Sequence, residues 1–146
     1  MAIKKITVKI RLLKPGAQLP YQATVASSGF DLYAVSSSII KAGSFGVVDT
    51  GIAIEMPTGI EAQIRPRSGL AFHKGIGILN SPGTIDPDYR GEIKVILFNV
   101  SDTDFLIKPG DRIAQIVFSR FTPVKFEITD NLSPTQRDKG GFGHTG

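Results

Sequence analysis

Apolar residues fall on Ile6, Val8, Ile10 and Leu12, at every second position. A half-buried strand has that period, because its successive side chains point to opposite faces. Similar short runs follow at Phe30–Ala34, Ser38–Lys41, Phe45–Asp49, Ile52–Glu55, Ile60–Arg65, Ile76–Leu79, Ile93–Asn99, Phe105–Ile107, Arg112–Ser119 and Val124–Ile128. Turn residues separate many of them: Lys41-Ala-Gly43, Pro57-Thr-Gly59, Asn80-Ser-Pro-Gly83 and Lys108-Pro-Gly110. No stretch sustains a 3.6-residue period. The single helix predicted is short, Gly69–His73, with Ser68 before it as N-cap. This pattern predicts an all-β, single-domain, jelly-roll-like sandwich or barrel of many short strands. The β domain is expected over residues 1–128. From Thr129 the large apolar residues are Leu132 and Phe142, too few to bury the segment, so 129–146 reads as a mobile C-terminal arm.

Composition narrows the classes of function. A chain of 146 residues that is 41% hydrophobic can build one core. Its 16 glycines and 9 prolines favour turns over long helices. A formal charge of +4 suits an anionic ligand such as a nucleotide. The basic residues form no dense block, Trp is absent and the 3 tyrosines are scattered, which argues against nucleic acid as partner. Without cysteine there is no disulfide, thiolate nucleophile or cysteine zinc site. His73 and His144 lie far apart, so a zinc site or a Ser-His-Asp triad has little support. The opening MAIKKITVKIRLL has neither a continuous apolar core nor a small-residue cleavage site, so no signal peptide is expected. No apolar run approaches the ~20 residues of a membrane helix, and a cytoplasmic location without membrane association is the expectation.

Several short stretches carry candidate chemistry, each with a plainer reading beside it. Gly141-Phe-Gly-His-Thr-Gly146 matches a dinucleotide fingerprint in form, but that fingerprint needs a strand before it and a helix after it, and no helix is expected to follow, so the match is rejected. The tail is either a disordered end or a lid in which glycine backbone and Arg137 approach a phosphate and Phe142 covers a base. Arg67 and Ser68 begin the short helix, whose free N–H groups suit a phosphate, or they are a surface arginine and a cap. Gln115 shares the apolar face of Ile113 and Val117 and needs a partner, backbone or ligand. Asp31 sits in an apolar strand start, where it can bind backbone or a surface cation. In Gly83-Thr-Ile-Asp-Pro-Asp-Tyr-Arg-Gly-Glu-Ile93, Pro87 pushes Asp86 to extended backbone and Pro87-Asp88 suits a type I turn. The stretch reads as a hairpin tip with an aimed carboxylate at Asp86 and a flat wall at Tyr89, or as a decorated turn.

Taken in order, five stretches resemble the homotrimeric all-β deoxyuridine triphosphatase (dUTPase) family. They are Ser28-Gly-Phe-Asp-Leu-Tyr-Ala34, Pro66-Arg-Ser-Gly-Leu-Ala71, Asn80 to Ile93, Gly110-Asp-Arg-Ile-Ala-Gln115 and Arg137-Asp-Lys-Gly-Gly-Phe-Gly-His-Thr-Gly146. Ser28 stands where the family usually has alanine, Asp138 where glycine is usual, and His144 at a position that varies between Ser and His.

The resemblance implies hydrolysis of dUTP to dUMP and pyrophosphate, keeping uracil out of DNA, with Asp86 activating the water that attacks the α-phosphorus. It implies a phosphate cradle of Arg67, Ser68, Gly69 and Gln115, and Mg2+ carried mainly by the triphosphate, with Asp31 holding one metal-bound water. Asn80, Gly83, Thr84, Ile85, Asp86 and Lys94 would read uracil, and Tyr89 would pack on deoxyribose. The arm residues Arg137, Phe142, Gly143, His144 and Thr145 would close over a neighbouring subunit's site in a homotrimer. Two other readings are a dCTP deaminase of the same fold and a non-catalytic nucleotide-responsive binding protein.

Overall fold

A computed structural model of the chain describes residues 4–143. The strands are β1 (Lys9–Leu12), β2 (Gly29–Tyr33), β3 (Ser38–Ile40), β4 (Phe45–Asp49), β5 (Ile52–Glu55), β6 (Ile60–Arg65), β7 (Ile76–Ile78), β8 (Gly83–Ile85), β9 (Lys94–Asn99), β10 (Phe105–Ile107) and β11 (Arg112–Arg120), with one helix, α1 (Ser68–Lys74). They form four small sheets in the orders β1-β5, β10-β3, β2-β11-β6-β8 and β4-β9-β7, each ladder antiparallel. The expected all-β, jelly-roll-like architecture is what the chain adopts, without a closed barrel. No helix among the described residues is long and apolar enough to cross a membrane, which says nothing of membrane-crossing strands.

The four-stranded sheet positions the candidate site. Its inner face presents Leu32, Ala114, Ile116, Ala62 and Ile64, all buried. Phe30 and Phe118 meet edge to face at 6.2 Å on the same side. Burial of this face sets the register, because a one-residue slip would turn the apolar set outward. The outer face carries most of the sheet's polar groups beside the buried Val117, with Gln63 donating to Glu61 (2.9 Å), Arg65 to Gln63 (2.9 Å) and Ser119 to Glu61 (3.1 Å).

Four local expectations change. The run Val124–Ile128 is not a strand: β11 ends at Arg120, Val124, Phe126 and Ile128 are exposed, and among the described residues no strand pairs with them. The strand that leads to Asp86, Gly83–Ile85, pairs with β6 rather than with β9. Residues 83–94 thus cross from one sheet to another instead of folding back as a paired hairpin. At the N-terminus only Val8 and Ile10 pack against the core, and the ladder of β1 starts at Lys9. Ser68 is the first helical residue, not the cap. Arg67 takes the cap position with extended backbone (φ −92°, ψ 128°) and no side-chain capping bond. Its side chain is engaged elsewhere.

Candidate active site

The residues expected to act together lie in three groups. The first surrounds Asp31 on the outer face of the four-stranded sheet. Asp31 is paired in register with Gln115, and Gln115 with Arg65. Arg112 stands three residues from Gln115, so strict alternation would send it to the inner face. A β-bulge between Arg112 and Ala114 restores it to the outer side, opposite Tyr33. There its guanidinium is 3.4 Å from Asp31 Oδ2. Arg67 Nε donates to Asp31 Oδ1 at 3.1 Å, and a second Arg67 nitrogen donates to the Arg112 carbonyl at 3.2 Å. One carboxylate between two guanidinium groups leaves net positive charge, held in fixed geometry, which suits an anion.

Gln115 has found its backbone partner. Its Nε2 donates to the Pro66 carbonyl at 2.9 Å, tying the cradle to the segment that leads into α1. Its Oε1 lies over Gly29, where a Cβ would sit 2.0 Å from that oxygen. Gly29 therefore belongs to this cluster by virtue of having no side chain. Ser68 and Gly69 are exposed at the start of α1.

The second group is the segment from Asn80 to Lys94. The Tyr89 N–H donates to the Asp86 carbonyl at 3.1 Å, closing the expected turn over Pro87-Asp88. Arg90 staples that turn from the side by donating to the carbonyls of Pro87 (2.6 Å) and Tyr89 (3.2 Å). The Asp86 carboxylate makes no ion pair with any described residue. It opens onto a recess of about 540 Å3 lined by Met56, Thr58, Asp86, Pro87, Asp88 and Arg90.

Tyr89 folds across Gly91, where a Cβ would stand 2.4 Å from the tyrosine oxygen, and its hydroxyl donates to the Glu92 carbonyl at 2.9 Å. The polar end is thus satisfied within the segment. Asn80 lies beside Gly83, whose added Cβ would meet its Nδ2 at 3.3 Å. Thr84 is exposed and Ile85 half-buried on β8, the edge strand of its sheet, and Lys94 pairs with Asp49 at 3.4 Å.

The third group is the arm. Arg137 Nε donates to Gly140 O at 2.8 Å and Gly140 N–H to Arg137 O at 2.9 Å, a local loop. Asp138 and Phe142 take left-handed backbone, φ +46° and +51°, as does Gly143 at +80°. A non-glycine residue is uncommon there, though Asp tolerates it better than most. Phe142 is fully exposed. Beyond Phe121, whose N–H donates to Gly59 O at 3.2 Å, no described hydrogen bond ties the arm to the β domain. His144 and Thr145 lie outside the described residues.

Within one chain the first two groups occupy opposite ends of β6. Ile85 pairs with Ala62, so Asp86 lies toward Ile60, whereas Arg67 follows Arg65 at the other end. Four strand steps from Glu61 to Arg65 span roughly 13 Å. Sequence reasoning missed Arg112, Gly29 and Gly91 as members of these groups. All three stood inside recognised stretches, but the bulge that turns Arg112 outward has no local signal.

A dUTPase family model matches residues 16–146. The chain is 47% identical over 146 residues to the deoxyuridine 5'-triphosphate nucleotidohydrolase of Syntrophotalea carbinolica, covering 99% of both chains. It is 54% identical over 138 residues to the enzyme of the same name from a Hydrogenobaculum species, covering 94% of this chain and 96% of that one. Among solved structures, Staphylococcus bacteriophage 80alpha dUTPase (a G164S mutant with dUpNHpp) superposes with a TM-score of 0.89 at 21% identity, over 96% of this chain and 98% of that one. The fold is that of an all-β nucleotide hydrolase with a jelly-roll-like body. The chain belongs to the dUTPase family.

Proposed function

We propose that this protein is a dUTP diphosphatase: it converts dUTP and water to dUMP and pyrophosphate. The observation that carries the mechanism is the Asp86 carboxylate, unpaired and exposed at a corner fixed by the Tyr89–Asp86 turn bond. Such a group can take a proton from water as that water attacks the α-phosphorus. The new P–O bond forms as the bond from the α-phosphorus to the bridging oxygen breaks, and pyrophosphate leaves with that electron pair. General base action supplies ~10²–10⁴-fold, so the rest of the acceleration comes from holding the triphosphate in line and offsetting its charge.

The Arg67–Asp31–Arg112 cluster with Gln115 is the reading for the phosphate cradle, with Ser68 and Gly69 adding backbone N–H groups. No group of three or more His, Cys, Asp or Glu among the described residues forms a metal cage. That fits Mg2+ carried on the phosphates, since this ion keeps several of its waters. Asp31 gives one lone pair to each arginine and keeps others, enough to hold a metal-bound water. Bound there, Mg2+ would neutralise phosphate charge.

Uracil selection rests on unpaired backbone. β8 is an edge strand, and Lys94 at the start of β9 pairs only with β4. A base reading the free groups of Thr84–Asp86 and Lys94 takes the place of a neighbouring strand, which leaves little room for a C5 methyl. Tyr89, flat across Gly91, is the wall for deoxyribose.

A single chain leaves Asp86 and Arg67 at opposite ends of β6, while reacting atoms must come within ~3–3.5 Å. We infer a homotrimer in which copies contribute different groups to one site. Exposed Phe45, Val47, Leu79, Val100 and Leu106 supply apolar surface for that association. The arm, 129–146, is the lid, with Arg137 on the terminal phosphate and Phe142 over the base.

The deciding experiment is pyrophosphate release with Mg2+ from dUTP beside UTP, dTTP and dCTP. Fast release from dUTP alone is expected. Ammonia from dCTP would favour the deaminase instead, and tight dUTP binding without turnover would make the protein a binder.

A further inference from the structure

Lys14 lies outside residues 16–146, the stretch matched by the family model, and belongs to none of the five signatures. Its backbone is fixed: the Leu13 N–H donates to Gly51 O at 2.7 Å, and the Ala17 N–H to Lys14 O at 3.2 Å. Pro15 and Gly16, the latter at φ +84°, occupy the centre of that turn. The ammonium reaches two carboxylates, Asp49 Oδ2 at 2.6 Å and Glu92 Oε1 at 2.8 Å.

The two contacts differ in consequence. Asp49 has a second cation in Lys94 at 3.4 Å. The Glu92 side chain is 11% exposed, and Lys14 is its one ion-pair partner among the described residues. Glu92 is also the residue whose carbonyl accepts the Tyr89 hydroxyl. That carbonyl shares a planar peptide with the Ile93 N–H, which donates to Ile52 O at 2.8 Å. The Ile93 side of that plane is held by burial and by the Thr50 hydroxyl, which donates to Ile93 O. The Glu92 side is held by the ion pair of its side chain with Lys14, so both ends of the peptide whose oxygen receives Tyr89 are restrained.

We propose that Lys14 is a positioning residue: through Glu92 it sets the Tyr89 ring and thereby the discrimination between deoxyribose and ribose. The selectivity half of this statement rests on the dUTPase reading above; the anchoring half does not.

The test uses the full chain with Lys14→Met, Lys14→Arg and Asp49→Asn. Amide hydrogen exchange over residues 86–93 is expected to speed up about tenfold in Lys14→Met and to stay near the parent rate in Lys14→Arg. The ratio of kcat/KM for dUTP over UTP should fall roughly fivefold in Lys14→Met, through KM rather than kcat, and recover in Lys14→Arg. Asp49→Asn breaks an ion pair of Lys14 but leaves Glu92 held, so it should lower the melting temperature without moving the ratio. Unchanged exchange in Lys14→Met overturns the anchor whatever the substrate. Faster exchange with an unchanged ratio overturns the selectivity role. A parent protein that turns over UTP as fast as dUTP refutes the dUTPase reading, and the exchange result then still decides the anchor.

Discussion

Residues 83–93 and residues 129–143 are built of similar material: glycine, aspartate, one arginine each, an aromatic ring. The structure treats them in opposite ways. The first segment is held at both ends and in the middle, by the β8–β6 ladder, the Asp86–Tyr89 turn bond and the Ile93–Ile52 bond. Among the described residues the second is hydrogen-bonded only within itself, through Thr129 and Asn131, Thr135 and Asp138, and Arg137 and Gly140. The difference is apolar anchorage. Gly83 and Ile93 are buried at the edges of the first segment, whereas every residue from Phe121 to Lys139 is exposed. On the proposed reading the first segment aims a carboxylate, which favours rigidity beforehand, and the second admits and releases a substrate, which favours movement.

The sharpest test of this contrast is Asp86→Asn. The amide keeps the turn and the shape but accepts no proton, so kcat should fall ~10²–10⁴-fold. Pyrophosphate release gives the rate, and a melting curve overlaying that of the parent shows that the segment is intact. Ending the chain at residue 128 probes the other side. Turnover should drop on the order of 10²-fold through lost positioning, while the urea midpoint stays with the full-length protein. A truncated chain that is fully active would remove the lid from the mechanism.

Glycines offer a finer comparison. At Gly91 a Cβ would stand 2.4 Å from the Tyr89 oxygen, whereas at Gly141 it would meet nothing within 4 Å. Gly91→Ala should push the exposed Tyr89 ring off its seat and loosen its hydroxyl bond to the Glu92 carbonyl, a loss of about 0.5–1.5 kcal/mol, and Gly141→Ala should leave the denaturation midpoint in place. Equal effects would erase the distinction between a packed and an unpacked segment.

The smallest expected effect is on pH. The hydrogen bond from Lys14 holds the Asp49 carboxyl below the usual aspartate range, against the opposing effect of burial. A depressed carboxyl adds stability above its unfolded pKa of about 3.9, and loses it as pH falls through the folded value. For a partly exposed pair this amounts to roughly 0.2–1 kcal/mol. Urea midpoints of the parent and Asp49→Asn should differ at pH 6 and converge toward pH 2; a gap that persists in acid would contradict the ion-pair origin.

Much of the fold was legible along the chain, because period and turn chemistry are local. β4, β5, β6 and β10 have the bounds that alternation predicts. The turn at Pro87-Asp88 followed from proline geometry, and the partner required by Gln115 proved to be Pro66 O. Val124–Ile128 misled, since alternation shows that a strand is possible and not that an edge is waiting for it. The Ser68 cap failed because Arg67, extended toward Asp31, already occupied the position.

By itself the sequence determined the β class, most strand positions, the family signatures and the turn at Pro87-Asp88, all carried by residue type and spacing. Tertiary structure alone decided that β8 pairs with β6, that a bulge turns Arg112 to Asp31, and that Lys14 grips Glu92. It also set Asp86 and Arg67 at opposite ends of β6. Each of these joins residues distant along the chain, and hydrophobic period, which fixes only which face is buried, does not specify which strands meet.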